Sequence, residues 1–331
     1  MPKTFVILGA GLTGLPLTHY VLKHYANKHD LTVILVSRPD EFYWNIETPR
    51  AAIPGQFTDD RVFFLVPKAK NSITVARSDE QTQTFDYHII LVATGSDYAD
   101  HMLWKLVGTS QEPRDSLAKL RKEVGKAKSI VIGVGGATGV EFAGKKKVTL
   151  VITESLPLEY KNLEATRQAA KKELEKLKVE ILANARVTKT TNRARGNMQE
   201  LIKADGSKKI LEADLFVPTW GVRFNTSFAP TSLLEPNGRL RVAASLRAPS
   251  YDNVFLAGDA ANADSYAATI REPQIRYLAT ALGQYLEARC QSIPHQPRSA
   301  GLLWLALVVE LGKWAISICG ASSHGTTKVG F

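Results

Sequence analysis

The chain has 331 residues, of which 44% are hydrophobic and 22% charged, so it is long enough for two globular domains with cores of their own. Its two cysteines, Cys290 and Cys319, form no Cys-x-x-Cys pair and no zinc cluster, which excludes a redox-active dithiol of the usual spacing and leads us to expect no metal site. The formal net charge of +10 permits attraction to anionic nucleotides, nucleic acid or anionic lipid. Because the basic residues form no single tract and no nucleic-acid-reading motif accompanies them, nucleic-acid binding is disfavoured.

The first glycine-rich pattern follows the first apolar run. The run TFVIL at 4–8 predicts a buried strand, and it leads directly into a full GxGxxG made of Gly9-Ala10-Gly11-Leu12-Thr13-Gly14. A helical segment at 15–30 and a second strand, LTVILVS at 31–37, complete a βαβ pattern. The glycines of such a turn let the backbone approach a pyrophosphate, and the helix N-terminus offers free N–H groups. This context favours a dinucleotide site over the alternative, a glycine turn that serves packing only.

Further features extend the pattern along the chain. The second strand ends in Ser37, where an acid usually holds the adenosine ribose, so we expect a weaker hydroxyl contact there. The strand in FDYHIILVATGS ends in Ala93-Thr94-Gly95, and the strand in YDNVFLAGDAAN ends in Gly258-Asp259. Between them lies a second glycine-rich unit, SIVIGVGGATGVEFAGKKKVTLV at 129–151. Each feature alone is weak evidence, and their order is what carries functional information.

That order resembles the flavoproteins with two dinucleotide-binding domains, and in particular their apoptosis-inducing-factor-like branch of the ferroptosis-suppressor type, which has fungal members. The residues that carry the resemblance are VILGAGLTG, FYWNIETPRAAIPG, ILVATGS, GGATGVEFAG, KVEILANARV and VFLAGDAAN, spread from position 6 to about 262. The missing Cys-x-x-Cys pair is consistent with this branch, in which electrons pass from flavin to a diffusible acceptor.

The resemblance implies an α/β fold with two Rossmann-like dinucleotide-binding domains and a short C-terminal α+β segment. We predict an FAD-binding domain at 1–107 and 228–290, an inserted NAD(P)H-binding domain at 108–227, and the C-terminal segment at 291–331. The implied activity is oxidation of NADH or NADPH through FAD, with a quinone-like or other small electron acceptor. Two alternatives stay open: a flavin-binding signalling or cell-death effector with impaired NAD(P)H turnover, and a charge-driven binder of nucleic acid or membrane surfaces.

The same resemblance assigns roles to particular residues. Gly9 to Gly14 would hold the FAD pyrophosphate, Arg50 would contact FAD, and Asp259 would bond the ribityl and flavin-side groups. The residues that would line the nicotinamide-nucleotide site are Gly136, Thr138, Gly139 and Glu141. No catalytic acid or base is predicted, because in hydride transfer between nicotinamide and flavin the cofactors make and break the bonds.

The second glycine-rich unit departs from the family pattern in two ways. Val134 stands where the family has its first glycine, and a β-branched residue adopts positive φ with difficulty, so we expect the turn to be shifted by one residue or loosened. Only 140–147 separate the last glycine from the next strand, whereas a parallel crossover needs roughly a dozen residues. We therefore predict a truncated crossover helix that barely reaches back. Either the gene has lost pieces of an ancestral enzyme, or the sequence is a misjoined reading of a longer gene.

Coenzyme choice depends on the end of the following strand, VTLVIT. Glu154 follows it, and a carboxylate there disfavours the 2′-phosphate of NADPH. No arginine lies beside it in the sequence to bind such a phosphate. The pattern therefore favours NADH.

The C-terminal run GLLWLALVVELGKWAISICG is apolar enough to be compared with a membrane span. Glu310 and Lys313 lie in its middle, and each costs about 3 kcal/mol at a bilayer centre. A buried or interfacial segment is therefore favoured over a span, and peripheral membrane contact stays open. We expect a cytoplasmic protein, with attachment to a surface such as the mitochondrial outer membrane as the alternative.

Overall fold

The computed structural model describes residues 3–37, 41–55, 63–65, 72–76, 86–98, 103–105, 111–142, 147–160, 162–193, 196–263, 267–291 and 315–320. Within these ranges the helices are α1 (Gly14–His24), α2 (Thr48–Ala51), α3 (Gln111–Lys126), α4 (Ala137–Phe142), α5 (Glu164–Lys176) and α6 (Ala267–Gln291). The strands are β1 (Lys3–Leu8), β2 (Leu31–Ser37), β3 (Glu41–Tyr43), β4 (Phe63–Leu65), β5 (Ser72–Ala76), β6 (Ile89–Val92), β7 (Ser96–Tyr98), β8 (Ser129–Gly133), β9 (Lys147–Val151), β10 (Glu180–Leu182), β11 (Ala185–Asn192), β12 (Asn197–Lys203), β13 (Lys208–Ala213), β14 (Leu215–Pro218), β15 (Val222–Phe224), β16 (Val254–Leu256) and β17 (Ala315–Gly320).

The first sheet has the strand order β16-β6-β1-β2-β17-β5. Strands β16, β6, β1 and β2 run parallel, while β17 pairs antiparallel with both β2 and β5. The apolar runs of β1, β2 and β6 are buried, as expected for parallel strands covered on both faces. Leu17 of α1 and Leu278 of α6 pack in the same core cluster as Phe5, so helices from both ends of the chain cover one face of this sheet.

The second sheet is parallel, with the order β10-β9-β8-β14. One face contacts an antiparallel three-stranded sheet, β11-β12-β13, through a cluster that includes Val131 and Leu201. The other face packs against Leu117 of α3 and Leu174 of α5. Each half of the molecule thus places the ends of its parallel strands at one sheet edge, where nucleotides bind in such folds.

The two parallel sheets are joined through shared apolar packing. Strand β7 pairs antiparallel with β15, so the chain leaves the first sheet and returns to it side by side. The indole of Trp104 packs edge-on against Phe142 at 5.5 Å between ring centroids, and its Nε1 donates to the carbonyl oxygen of Pro218 at 2.9 Å. The predicted α/β fold with two dinucleotide-binding units is confirmed, whereas the proposed domain boundaries stay a prediction.

Beyond Gln291, which ends α6, the C-terminal segment is described only at β17, which adds a strand to the first sheet. The rest of 292–331, including Glu310 and Lys313, lies outside the described residues. No helix in the described ranges combines the length and the apolar character needed to cross a bilayer. Among the same residues, no group of three or more His, Cys, Asp or Glu side chains is arranged to hold a metal ion.

Candidate functional site

The turn after β1 is built around glycines that leave no room for side chains. Gly9 has φ +101°, and a Cβ placed on it would overlap the carbonyl oxygen of Ala93. A Cβ on Gly14 would overlap the carbonyl oxygen of Gly9. At Gly11, by contrast, a Cβ would meet nothing within 4 Å, so the backbone there faces open space. The turn therefore has the shape that lets a pyrophosphate approach the main chain.

The helix that follows presents its N-terminus to this turn. Thr13 precedes α1 and its side chain makes no capping hydrogen bond. In the first turn Pro16 has no N–H, and the amides of Leu15 and Leu17 donate to Gly11 and Thr13, so the Gly14 amide is the one left to an anion. Ala10 and Thr13 are buried and Leu12 is half-buried, which fixes the loop against the sheet. The predicted pyrophosphate residues thus offer mainly backbone groups.

The neighbouring strand ends complete this edge of the sheet. The amide of Gly9 donates to the carbonyl oxygen of Val36 at 2.7 Å, which places buried Ser37 at the end of β2 beside the turn. The amide of Ala93 donates to Leu8 at 2.8 Å. After Ala93, the Thr94 hydroxyl donates to the carbonyl oxygen of Asn225 at 2.7 Å, and Gly95 has a positive φ of +70°.

The predicted Gly258-Asp259 pair lies directly against the first glycine turn. Gly258 has φ +70°, and a Cβ on it would come within 3.1 Å of the Thr13 hydroxyl oxygen. The Oδ2 atom of Asp259 accepts hydrogen bonds from the Ser96 hydroxyl at 2.7 Å and from Nζ of Lys105 at 2.6 Å. Burial raises the pKa of Asp259, but the Lys105 ammonium and the Ser96 hydroxyl outweigh it, so this pKa lies below its ordinary value.

A second contact joins the two predicted cofactor sites through Tyr98. The side chain of Thr138 lies close enough to this phenol to lower its pKa, and Lys105 and Asp259 both act on it electrostatically. Burial raises the pKa of Tyr98 above its ordinary value, so the phenol is neutral. Thr138 of the second glycine unit is therefore separated from Asp259 by a single side chain, that of Tyr98.

Arg50 and Glu141 meet across the same junction, where α2 packs against α4. Nη1 of Arg50 lies 3.5 Å from Oε2 of Glu47. Partial burial raises the pKa of Glu141, while the charge of Arg50 lowers it and that of Glu47 raises it. A residue predicted to contact FAD and one predicted to line the nicotinamide site are thus electrostatic neighbours.

The second glycine turn keeps the geometry of the first turn despite Val134. This valine has φ +72°, and a Cβ on Gly139 would overlap its carbonyl oxygen, which is the relation of Gly14 to Gly9. Our expectation of a shifted or loosened turn is wrong. The hydroxyl of Thr219 shares its one hydrogen between the carbonyl oxygens of Gly133 at 2.5 Å and Val134 at 2.8 Å, which ties the turn to the end of β14. Gly136 faces open space, as Gly11 does.

The crossover after this turn also closes. Helix α4 has six residues, against eleven in α1. Strand β9 nevertheless pairs parallel with β8 from Ser129 opposite Lys147 to Gly133 opposite Val151, so the chain does return to the sheet after this short helix. Residues 143–146, which complete the connection, lie outside the described ranges.

Glu154 has an arginine partner that sequence adjacency did not reveal. Nη2 of Arg167, on α5, lies 2.5 Å from Oε2 of Glu154 and donates to the carbonyl oxygen of Leu156 at 2.9 Å, while Nε donates to Pro157 at 3.2 Å. The amide of Leu158 donates to the carbonyl oxygen of Gly135 at 2.7 Å, which ties this loop to the second glycine turn. The expectation that no arginine lies beside Glu154 is therefore wrong. None is adjacent to it in the sequence, but Arg167 contacts it in the folded chain.

Residues 55–284 match the pyridine nucleotide-disulphide oxidoreductase family. The chain belongs to this family. It is 30% identical over 292 residues to the oxidoreductase phnG of Penicillium herquei, covering 72% of this chain and 69% of that protein. It is 27% identical over 336 residues to the oxidoreductase ptaL of Pestalotiopsis fici, covering 92% and 89%. Human ferroptosis suppressor protein 1 is 24% identical, with 83% of this chain and 76% of that protein covered, and the predicted resemblance to this branch is confirmed.

Solved structures of the same fold extend the comparison. The sulfide:quinone oxidoreductase of Aquifex aeolicus superposes with a TM-score of 0.65 at 15% identity, over 87% of this chain and 77% of that one. The water-forming NADH oxidase of Lactobacillus brevis, bound to NADH, gives a TM-score of 0.63 at 16% identity, over 86% and 69%. At these identities the likeness shows the fold of the pyridine nucleotide-disulphide oxidoreductases.

Sequence reasoning missed four residues that contact the predicted site residues of the two units. Ser96, Tyr98 and Lys105 follow the Ala93-Thr94-Gly95 stretch, and Arg167 lies on a helix after Glu154. Ser96 directly follows that stretch, so the motif itself gave a signal for it. Lys105 and Arg167 carry no local pattern, because their partners are set by the fold.

Proposed function

We propose that the protein is an FAD-dependent NAD(P)H oxidoreductase that passes electrons to a quinone-like or other small acceptor. One observation carries the proposal: Thr138 of the second glycine unit lies beside Tyr98, and Tyr98 lies beside Asp259, whose carboxylate bonds Lys105 and Ser96 next to the first turn. That arrangement would place a nicotinamide and a flavin on either side of one junction.

The residues of the first unit fit FAD. Gly11 leaves space for a pyrophosphate, the Gly14 amide at the start of α1 is open to it, and Gly258, which precedes Asp259, packs against Thr13. We assign the pyrophosphate to Gly9 through Gly14. We assign a cofactor hydroxyl to Asp259, because an ionised carboxylate accepts strong hydrogen bonds.

The second unit fits a nicotinamide nucleotide, with NADH preferred. Gly136 faces open space, and Gly139 allows close packing of α4 against the turn. Glu154 is 35% exposed and keeps lone pairs that accept hydrogen bonds from a ribose diol, whereas a 2′-phosphate would meet a negative charge. The Arg167 side chain is only 11% exposed and is held by the loop carbonyls, so it reinforces Glu154 rather than facing solvent.

When bound, FAD supplies the hydride acceptor for the nicotinamide, and the chain's own residues have to align and shield the two rings. Trp104, 2% exposed, and the buried phenol of Tyr98 keep water out of the junction. Arg50 supplies positive charge at the junction near Glu141. These residues therefore act by orientation, electrostatics and exclusion of water.

A quinone-like acceptor is what the resemblance to the ferroptosis-suppressor branch implies, and one solved structure of the same fold is a sulfide:quinone oxidoreductase. We place the reaction in the cytoplasm or at the surface of a membrane, because a lipid-soluble acceptor is reached most easily from there.

A second candidate is a flavin-binding effector that turns over NAD(P)H poorly. The observation that favours it is the second unit itself, in which Val134 adopts positive φ and α4 has six residues. Such a protein would hold FAD in the first unit and bind the nicotinamide nucleotide weakly in the second.

Absorbance spectra of the purified full-length chain, loaded with FAD and then mixed anaerobically with NADH, separate these functions. The oxidoreductase requires bound flavin whose visible absorbance bleaches on addition of NADH and returns when a quinone is added. Bound flavin that NADH leaves oxidised would support the effector. A colourless protein that takes up no FAD in a titration would refute both.

A further inference from the structure

Lys105 lies on a short stretch whose backbone is held from both halves of the molecule. The Tyr43 hydroxyl donates to the carbonyl oxygen of Leu103 at 2.6 Å, and Nδ2 of Asn45 donates to that of Trp104 at 3.2 Å. The Trp104 indole is anchored in turn to Pro218. The two residues before Lys105 are thus fixed, and its side chain starts from a defined point.

The two oxygens of the Asp259 carboxylate have different surroundings. Lys105 and Ser96 both bond Oδ2, at 2.6 Å and 2.7 Å. Among the described residues Oδ1 accepts no hydrogen bond, and it is not one of the buried atoms left without a partner. Oδ2 is therefore engaged and Oδ1 is accessible, on a residue whose neighbour Gly258 packs against Thr13 of the first glycine turn.

The charges around this carboxylate come from several elements. Lys105 and Arg239 oppose the effect of burial on Asp259, and Nε of Arg239 also donates to the Asp259 carbonyl oxygen at 3.2 Å. Tyr98, on β7, is neutral and adjacent. Lys105 is the cation whose ammonium bonds the carboxylate directly, so it contributes most to keeping that group ionised in its buried position.

We propose that Lys105 is a positioning residue for FAD: it locks Oδ2 of Asp259 so that Oδ1 accepts a hydrogen bond from a cofactor hydroxyl. This inference rests on the proposed function, since it presumes that the first unit binds FAD. Lys105 acts through Asp259, so its loss weakens cofactor binding without removing the carboxylate.

The test is FAD titration of the full-length apoprotein by flavin fluorescence, comparing wild type with Lys105→Met and Lys105→Arg. We expect Lys105→Met to weaken FAD binding by about tenfold or more, the size of one charge-assisted hydrogen bond, and Lys105→Arg to restore most of it. Lys28→Met is a matched control, because Lys28 pairs with Glu287 at a similar 2.7 Å but far from the turn and in solvent. It should bind FAD as wild type does.

A pH series adds a readout that a purely structural lysine would not move. Without the ammonium, burial is less opposed, so FAD affinity of Lys105→Met should fall as pH drops from about 8 to about 5.5, a range in which the wild type stays constant. Ser96→Ala removes the other Oδ2 bond and serves as the second variant if Lys105→Met does not fold; it should weaken FAD binding less than Lys105→Met does, and wild-type affinity in Ser96→Ala would count against the Oδ2 lock.

The outcomes separate this inference from the function on which it rests. Wild-type affinity and a flat pH profile in Lys105→Met would overturn the role of Lys105 while leaving FAD binding intact. Tighter binding in Lys105→Met would also overturn it, by showing that the ammonium competes with the cofactor. A wild-type protein that binds no FAD would refute the proposed function itself.

Discussion

The turn after β1 and the turn after β8 share one backbone design but differ at its first position. The amide of Gly9 donates to Val36 at 2.7 Å, and the amide of Val134 donates to Val151 at 2.9 Å. Both residues have positive φ. At Gly9 the space of a side chain is filled by the Ala93 carbonyl oxygen, whereas the Val134 side chain is accommodated half-buried. A glycine is therefore obligatory in such a turn where the neighbouring strand fills the space of its side chain.

The helices after the two turns differ as well. Eleven residues in α1 give the first unit aligned peptide dipoles over three turns, while α4 has six residues. We therefore expect the first unit to bind anions more strongly than the second. The second unit depends more on its loop contacts, such as the bond from Leu158 to Gly135 and the pair of Glu154 with Arg167.

The largest effect should follow from giving the first turn the residue of the second. In Gly9→Val, the added Cβ overlaps the Ala93 carbonyl oxygen, so β6 has to move or the turn has to open. We expect a loss of roughly 3 kcal/mol in the free energy of unfolding and FAD binding weakened by about 100-fold. Urea unfolding and FAD titration measure the two effects.

Gly11→Ala keeps this prediction testable if Gly9→Val does not fold. A Cβ on Gly11 meets no protein atom within 4 Å, so the variant should unfold like wild type. It should still weaken FAD binding, because the methyl group enters the space assigned to the pyrophosphate. Unchanged FAD affinity in both variants would remove the first turn from the cofactor site.

The sequence predicted the first unit well because its signals are local. The run before Gly9, the glycine pattern and the strand ending at Ser37 all appear where expected, since an apolar run bounded by glycines determines strand and turn over short distances. The Ala93-Thr94-Gly95 and Gly258-Asp259 stretches likewise follow strands. Their meeting with the glycine turn follows from parallel strands whose carboxyl ends share one edge.

The misses concern contacts that no local pattern contains. Lys105 reaches Asp259 across 154 positions of sequence, so only the packed fold identifies the pair. Arg167 is 13 residues from Glu154 and meets it because α5 folds back over the loop. Val134 contradicted a sound local rule: its preference against positive φ is overridden by the Thr219 hydroxyl, which bonds the carbonyl oxygens of the turn.

An intermediate effect, on the ratio of NADPH to NADH affinity, should come from a change at Glu154 in the loop after β9. Glu154→Ala removes the charge that repels a 2′-phosphate and leaves the buried Arg167 cation without its carboxylate partner. We expect NADPH binding to strengthen and NADH binding to weaken, changing their affinity ratio by about tenfold. Calorimetric titration of the FAD-loaded protein with each nucleotide measures the ratio.

Glu173→Ala is the control for this change. Glu173 lies on α5, the helix that carries Arg167, and pairs there with Lys176 in an exposed position. Its nucleotide ratio should equal that of the wild type. An unaltered ratio in Glu154→Ala, with both nucleotides still bound, would show that Glu154 does not face the ribose.

The smallest effect should come from the reverse exchange, Val134→Gly. A β-branched residue at positive φ costs about 1–3 kcal/mol, and glycine loses about 0.5–1 kcal/mol through its greater freedom in the unfolded chain. The free energy of unfolding should therefore rise by about 1 kcal/mol, and NADH binding should strengthen by at most about fivefold. Urea unfolding and NADH titration test this.

Lys178→Gly separates relief of backbone strain from a role in the site. Lys178 also has positive φ, at 59°, but follows α5 away from the glycine turn. It should raise the free energy of unfolding by a similar amount and leave NADH affinity unchanged. If Val134→Gly instead lowered both the free energy of unfolding and the NADH affinity, Val134 would be a packing residue that the short α4 requires. The second turn would then tolerate the valine because its side chain makes contacts that the longer helix α1 makes in the first unit.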